Sequence, residues 1–230
     1  MKVLLVDNDR ELVDLLRYMF VRDHHTVVTA FDGAEALRVF EREAPDLVVL
    51  DVMMPKRSGI EVLKEIRAAG ETPVIMLTGV GDEDRVVHTL GLGADEYVIK
   101  PFRPRELLAR AEGVYRRSRA YHRERAPLSG PMTCGAVTLD PQRHEVYVAG
   151  RLVRVTPTEF ALLQYLVLNH GIALSAQKIL GEVWGHDAEE NDDVVRVTVA
   201  RLRSKIEPDP ANPRYIVTVP GGGYMCQDQK

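Results

Sequence analysis

Cysteine is almost missing from this chain. Only Cys134 and Cys226 occur among 230 residues, and no CxxC spacing links them. A disulfide-stapled scaffold is thereby excluded, and reduced thiols are the expectation, with one structural disulfide as the alternative. Long apolar runs are missing too. None reaches the ~18–20 residues that span a bilayer, so no membrane association is expected. A secretory pattern is not seen: Lys2 is followed by a short apolar run and then by acids, which predicts a cytoplasmic protein. A basic excess is also lacking. Residues 1–115 carry 15 Lys/Arg against 21 Asp/Glu, residues 116–131 carry 5 Arg against 1 Glu, and residues 132–230 carry 10 against 12. Bulk charge therefore gives no support for nucleic-acid binding, which must rest on local placement. His170 and His186 have no ligand-like spacing with acids or cysteines, so no metal site is expected around them.

What is present reads as globular protein. Hydrophobic residues make up 45% and charged residues 28%, and the length suits two domains. The first half alternates strand and helix signals. Apolar runs lie at 2–6, 26–30, 47–50, 74–77 and 96–99. Between them run amphipathic stretches, such as Leu12, Leu15, Leu16, Met19 and Phe20 at three-to-four spacing. Five such units with short loops predict a doubly wound, five-stranded parallel sheet of the α/β class, and apolar runs without alternation predict cover on both faces.

Four apolar runs end in polar residues with chemistry. Asp7-Asn8-Asp9 follows the first, Asp51 the third, Thr78 the fourth and Lys100-Pro101 the fifth. Open α/β sheets gather their chemistry at the carboxyl edge of the strands. One cleft can therefore collect these residues although twenty or more separate neighbours. Alone, Asp51 could be a turn residue, Asp7-Asn8-Asp9 a helix cap and Thr78 ordinary turn chemistry; together, in this order, they resemble the receiver domain of a two-component response regulator. The resemblance implies a CheY-like fold with Asp51 as phosphoacceptor. It implies Mg²⁺ held by Asp7, Asn8, Asp51 and the Met53 backbone carbonyl. It also implies phosphoryl contacts from Thr78 and Lys100, an aromatic switch at Tyr97, and a cis peptide before Pro101. Asn8 stands where the family usually has a second acid, so weaker Mg²⁺ binding is expected; Asp9 is a less direct substitute. The resemblance further implies a homodimer when phosphorylated. His88 would then pair with Glu106 across the two-fold, and Asp95 or Glu96 with Arg110.

Residues 118–131 are basic and rich in Pro and Gly, as a solvated linker is. From 132 the pattern changes. Strand and turn signals fill 134–155. Helices are predicted at about 157–169, 175–183 and 192–206, with Thr156 and Glu159 at capping-box spacing. A hairpin closes the pattern, 215–219 and 224–226 around Pro220-Gly221-Gly222-Gly223. This resembles the α+β winged helix-turn-helix effector of OmpR/PhoB-type regulators. The helix at 192–206 matches the recognition helix, with Arg201 as base reader and Arg196 and Arg203 as phosphate contacts; Thr198 and Ala200 are further DNA-facing candidates. Pro220 replaces the Arg usual in the wing, and Trp184 opens a loop that resembles the family's RNA-polymerase contact.

The expected organisation is a receiver at 1–117, a linker at 118–131 and a DNA-binding domain at 132–230. The expected function is a transcription regulator rather than an enzyme. Its expected partners are a sensor histidine kinase, double-stranded promoter DNA, a second copy and RNA polymerase. A phosphorylation-independent architectural DNA-binding protein is the rival reading. A small phosphatase or phosphotransferase of related α/β topology is the other, and the effector half and the lack of a second nucleophile or acid/base His near Asp51 count against it.

Overall fold

The computed structural model describes residues 1–79, 83–119, 130–185 and 192–228. The chain divides into two compact units, Met1–Tyr115 and Arg116–Lys230. In the first, strands β1 (Lys2–Val6), β2 (Thr26–Ala30), β3 (Leu47–Asp51), β4 (Val74–Gly79) and β5 (Glu96–Lys100) form one parallel sheet in the order β2-β1-β3-β4-β5. The connecting helices are α1 (Arg10–Arg22), α2 (Gly33–Glu43), α3 (Gly59–Ala69) and α4 (Glu83–Gly91), with α5 (Pro104–Arg119) after the last strand. Alternate residues of each strand point to opposite faces. One set, Val3, Leu5, Leu47, Val49, Ile75, Leu77 and Val98, packs with Leu16 and Phe20 of α1 and Leu107, Ala111 and Val114 of α5. The other set, including Leu4, Val6, Val48, Leu50 and Met76, is buried as well. Continuous apolar strands thus reflect cover on both faces.

The helices start where the sequence supplies a cap. Asp9, Asp32 and Ser58 each accept from a backbone N–H in the first turn of their helix. Gly59 opens α3 against the end of β3, and a Cβ there would collide with the carbonyl oxygen of Asp51. Helix α5 continues to Arg119, so the expected linker start at 118 falls inside a helix; Arg is a good helix former.

In the second unit β6 (Met132–Cys134), β7 (Val137–Asp140), β8 (Glu145–Val148) and β9 (Arg151–Val153) form an antiparallel sheet in chain order. Helices α6 (Pro157–Leu168), α7 (Ala176–Val183) and α8 (Asp192–Ile206) follow, and then the hairpin of β10 (Ile216–Val219) and β11 (Gly223–Cys226). Thr156 and Glu159 form the predicted capping box, and Pro157 takes the first helical position. The hairpin is held at both ends. Leu174 and Tyr224 exchange backbone hydrogen bonds of 2.8 and 2.9 Å. Gly223 permits that approach: it sits at φ +93°, and a Cβ would strike the Leu174 carbonyl. The Glu207 carboxylate, just beyond α8, accepts from the backbone N–H groups of Arg214, Tyr215 and Ile216 at 2.7, 2.9 and 2.8 Å.

One expectation about cysteine is overturned. Cys134 and Cys226 are joined as a disulfide, with Cα atoms 6.7 Å apart. They are 92 residues apart in sequence, and only the tertiary fold lays β6 beside β11.

Candidate functional site

The parallel sheet brings the four strand-end signals together. Asp51 pairs in register with Leu77, and Leu77 with Val98, so Thr78 stands one step and Lys100 two steps past that row. Lys100 Nζ donates to Asp7 Oδ2 at 2.6 Å and lies 3.0 Å from Asp51 Oδ1. Asp7 and Asp51 are both buried, so the site is a pocketed pair of carboxylates bridged by one ammonium. Burial holds the Asp51 pKa above the usual carboxylate range. The hydrogen bond and charge of Lys100 oppose this, the Asp7 charge adds to it, and the Met53 backbone N–H again favours the ionised form. Burial alone would lower Lys100, but its hydrogen bonds to Asp7 and Asp51 outweigh it and hold the ammonium above the ordinary lysine value. Thr78 is buried, and its hydroxyl has no hydrogen-bond partner among the described residues. A buried polar group without a partner costs about 1–3 kcal/mol, and here it lies at the edge where the carboxylates meet.

The remaining predicted residues of this site separate. Asp9 is the N-cap of α1 and accepts from Leu12 N at 3.1 Å, while its own N–H donates to Asp7 Oδ1 at 2.9 Å. Asp9 is therefore committed to the helix start and does not stand in for Asn8, which is exposed. Met53 is largely exposed beside Asp51. Tyr97 is buried in mid-strand. The Lys100–Pro101 peptide is cis. The loop after Asp51 carries Lys56 in the left-handed region, at φ 65°. Its ammonium is ion-paired with Asp32, and that bond holds the Asp32 pKa below the usual value. Nothing in the sequence pattern marks this pair.

In the second unit the face of α8 decides which residues can meet a partner. Arg196, Ala200 and Ser204 lie at every fourth position and form a stripe, with Arg196 and Ala200 exposed. Among the described residues Arg196 is bonded along its own helix, with Nε and Nη2 at 3.0 and 2.8 Å from Asp193 Oδ1. Arg203 is half-buried: Nε donates to the Ile216 carbonyl at 2.8 Å, Nη2 to Thr218 Oγ1 at 2.9 Å, and the guanidinium lies 5.7 Å from the Tyr224 ring centre. Burial lowers its pKa from the usual arginine value. It fastens α8 to the hairpin.

Residues 3–112 match the response regulator receiver domain, and residues 150–226 match the C-terminal domain of transcriptional regulatory proteins. The chain is 42% identical over 229 residues to a probable transcriptional regulator ycf27 of Porphyridium aerugineum, covering 98% of this chain and 95% of that protein. It is 39% identical over 234 residues to the alkaline phosphatase synthesis transcriptional regulatory protein PhoP of Bacillus subtilis, covering 100% and 98%. Among solved structures, the response regulator DrrB of Thermotoga maritima, an OmpR/PhoB homologue, aligns at TM-score 0.51 and 33% identity over 98% of both chains. A mutant of RitR aligns at TM-score 0.78 and 23% identity over 99% of both, which shows the fold alone.

The chain belongs to the OmpR/PhoB-type response regulators.

Two DNA-facing assignments in this response regulator need correction. Arg201 is only 9% exposed, and its Nη2 lies 2.7 Å from Glu159 Oε1. Lys205 Nζ holds the other oxygen of Glu159 at 2.7 Å. Arg201 cannot read bases while it neutralises a fully buried carboxylate on α6. Thr198 is buried as well, its hydroxyl donating to the Val194 carbonyl at 2.7 Å. Glu159 looked like a capping residue alone; its spacing carries that signal and gives no hint of the two cations.

The predicted dimer residues are also partly committed within the chain. Asp95 is buried, and its Oδ2 accepts from Arg67 Nη2 at 2.8 Å and from Val74 N at 3.0 Å. It is therefore no surface partner for Arg110, which corrects that alternative. Arg110 Nε donates to Glu106 Oε1 at 3.1 Å, and Nη1 lies 3.8 Å from Glu96 Oε1. His88 is exposed on α4. Trp184, the C-cap of α7, is buried. The loop it opens, 186–191, lies outside the described residues, as does most of the expected basic linker.

Proposed function

We propose that this response regulator is phosphorylated on Asp51 by a sensor histidine kinase, dimerises through its receiver and binds promoter DNA to regulate transcription in the cytoplasm. The reading rests most on one observation: Asp51, Asp7, Lys100 and the unpartnered Thr78 hydroxyl share one strand edge. The transfer forms a bond from an Asp51 carboxylate oxygen to phosphorus and breaks the bond from phosphorus to the donor. Carboxylates are weak nucleophiles, so the incoming charge must be neutralised and held. Lys100, already above its ordinary pKa, stays an ammonium and neutralises phosphoryl oxygens as a point charge. Thr78 can donate its unused hydroxyl to one of them. Tyr97 is buried, and a shift of Thr78 along the same edge would alter its packing and bias the α4–β5–α5 face.

Receiver domains generally bind Mg²⁺ at this site. The residues fit: two buried carboxylates are the hard oxygen donors Mg²⁺ prefers, with Asn8 and the Met53 carbonyl as the further ligands. The ion would supply positive charge against the phosphoryl oxygens. Because Asn8 brings no charge and Asp9 is spent on α1, tight binding is not expected.

For the second unit the reading is that α8 enters the major groove with Arg196, Ala200 and Ser204 outward. Arg203 braces the hairpin and offers its remaining charge to phosphate. RNA polymerase remains a proposed partner at the loop after Trp184. The family is one of transcriptional regulators, not of classical enzymes. Among the described residues no helix is long and apolar enough to cross a membrane. Incubation with acetyl phosphate and Mg²⁺, followed by intact mass, tests the core of the reading. One phosphoryl group should add to wild type and none to Asp51→Asn. Equal uptake by both would overturn it.

A further inference from the structure

The disulfide lies among residues it does not need. His170, in the turn after α6, and Asp228, two residues past β11, flank it. Their ligand atoms and Cys134 Sγ all lie within 4.8 Å of one another, and His170 Nε2 is 3.4 Å from Asp228 Oδ2. Cys226 is bonded to Cys134 and so shares the cluster. The backbone fixes these positions. The Gly171 N–H donates to the Cys226 carbonyl at 2.9 Å, and the Gln227 N–H to the Tyr215 carbonyl at 3.0 Å. The Gly135 N–H donates to the Asp228 carboxylate. An exposed His–Asp pair by itself contributes little to stability. Two sulfurs, an imidazole and a carboxylate from separate segments are, however, the donor set of a tetrahedral borderline-soft ion.

We propose that, once its disulfide is opened, the DNA-binding unit holds one Zn²⁺-class ion on Cys134, Cys226, His170 and Asp228. Opening consumes two electrons. A dithiol attacks one sulfur as thiolate, a mixed disulfide forms, and the second reagent thiol resolves it. The reagent leaves as a disulfide, and Cys134 and Cys226 each take up a proton. Metal binding then displaces those two protons to solvent. Both cysteines are fully buried, whereas His170 and Asp228 have side chains 41% and 60% exposed. The ion would therefore enter from the His–Asp side and meet the sulfurs beneath. Disulfide and metal exclude each other, because one sulfur pair cannot serve both. Either state ties β6 to the strand that ends the wing, but the metal state also fastens the turn after α6. The sequence spacing hides this set, since Cys134 and Asp228 are far apart in the chain.

The test uses the full chain, reduced without oxygen by a phosphine and freed of reagent, in excess Mg²⁺ so that the Asp7–Asp51 cluster is not counted. Zn²⁺ is titrated against a chromophoric chelator, and Co²⁺ is added as a spectroscopic stand-in. The expected result is one ion per reduced chain, thiolate-to-cobalt absorption, and no uptake by the oxidised chain. His170→Ala and Asp228→Asn, both at exposed positions, should each weaken binding by ~10-fold or more, as even outer partners of metal sites do. Cys134→Ser with Cys226→Ser should abolish it; if that chain fails to fold, the two surface variants still decide. No ion above the Cys→Ser level, no thiolate band, or unchanged affinity in both surface variants would overturn the proposal.

Discussion

The two units differ in how their polar residues come to matter. In the receiver, chemistry sits at strand ends. A parallel sheet covered on both faces leaves its polar strand-end residues one place to go, so Asp7, Asp51, Thr78 and Lys100 gather whatever their exact rotamers. In the effector unit, chemistry sits on a helix side, and one step along a helix turns a side chain by ~100°. Arg201 and Arg196 look alike in sequence, yet one neutralises Glu159 inside the fold and the other faces solvent. Convergence by topology is robust; orientation by helical phase depends on what lies opposite.

The largest effect is expected at the strand edge. Asp51→Asn should remove phosphate uptake completely and leave the receiver folded, since Lys100 keeps Asp7 as a partner. The sign of its stability effect follows from the raised pKa. A carboxyl with a folded value above its unfolded one stabilises the fold while protonated and loses that contribution as pH rises through the folded value. At a pH above that folded value Asp51 has lost this contribution, so Asn should melt no earlier than wild type there in calorimetry. A clearly earlier transition would show that the Lys100–Asp51 contact outweighs burial.

Next in size is Arg201. Arg201→Ala leaves the Glu159 carboxylate buried with Lys205 alone, and breaking such a pair costs about 3 kcal/mol or more. Urea unfolding followed by the single tryptophan, Trp184, reports on this unit. Lost DNA affinity without lost stability would restore Arg201 to the DNA face. Arg196→Ala should do the opposite: stability within ~0.5 kcal/mol, weaker binding to DNA, and a salt slope reduced by about one unit.

Smaller effects belong to Asn8 and His88. Asn8→Asp should bind Mg²⁺ more tightly in a calorimetric titration, because Asp9 is fixed on α1 and cannot already compensate. An unchanged constant would place Asn8 outside the ligand set. The smallest effect belongs to His88. A His88–Glu106 pair across a dimer must compete with the existing Arg110–Glu106 bond, and exposed pairs are worth only ~0–1 kcal/mol. His88→Ala should therefore weaken dimerisation of the phosphorylated receiver by no more than a few-fold in sedimentation, and an unchanged constant would remove His88 from the interface.

Five βα units, the strand-edge position of Asp51, the capping box at Thr156 and Glu159, and the three helices before the hairpin are all legible in the chain alone. Each follows from local periodicity or from a cap that acts within a few residues. What it could not decide involves partners far apart in the chain. Arg201 meets Glu159 across two helices, Asp95 in the loop before β5 meets Arg67 of α3, and Cys134 meets Cys226 and Asp228 from opposite ends of the unit. A buried charge or thiol is settled by the group that faces it. Only the tertiary structure supplies that group, because local spacing carries no information about which distant segment will pack alongside.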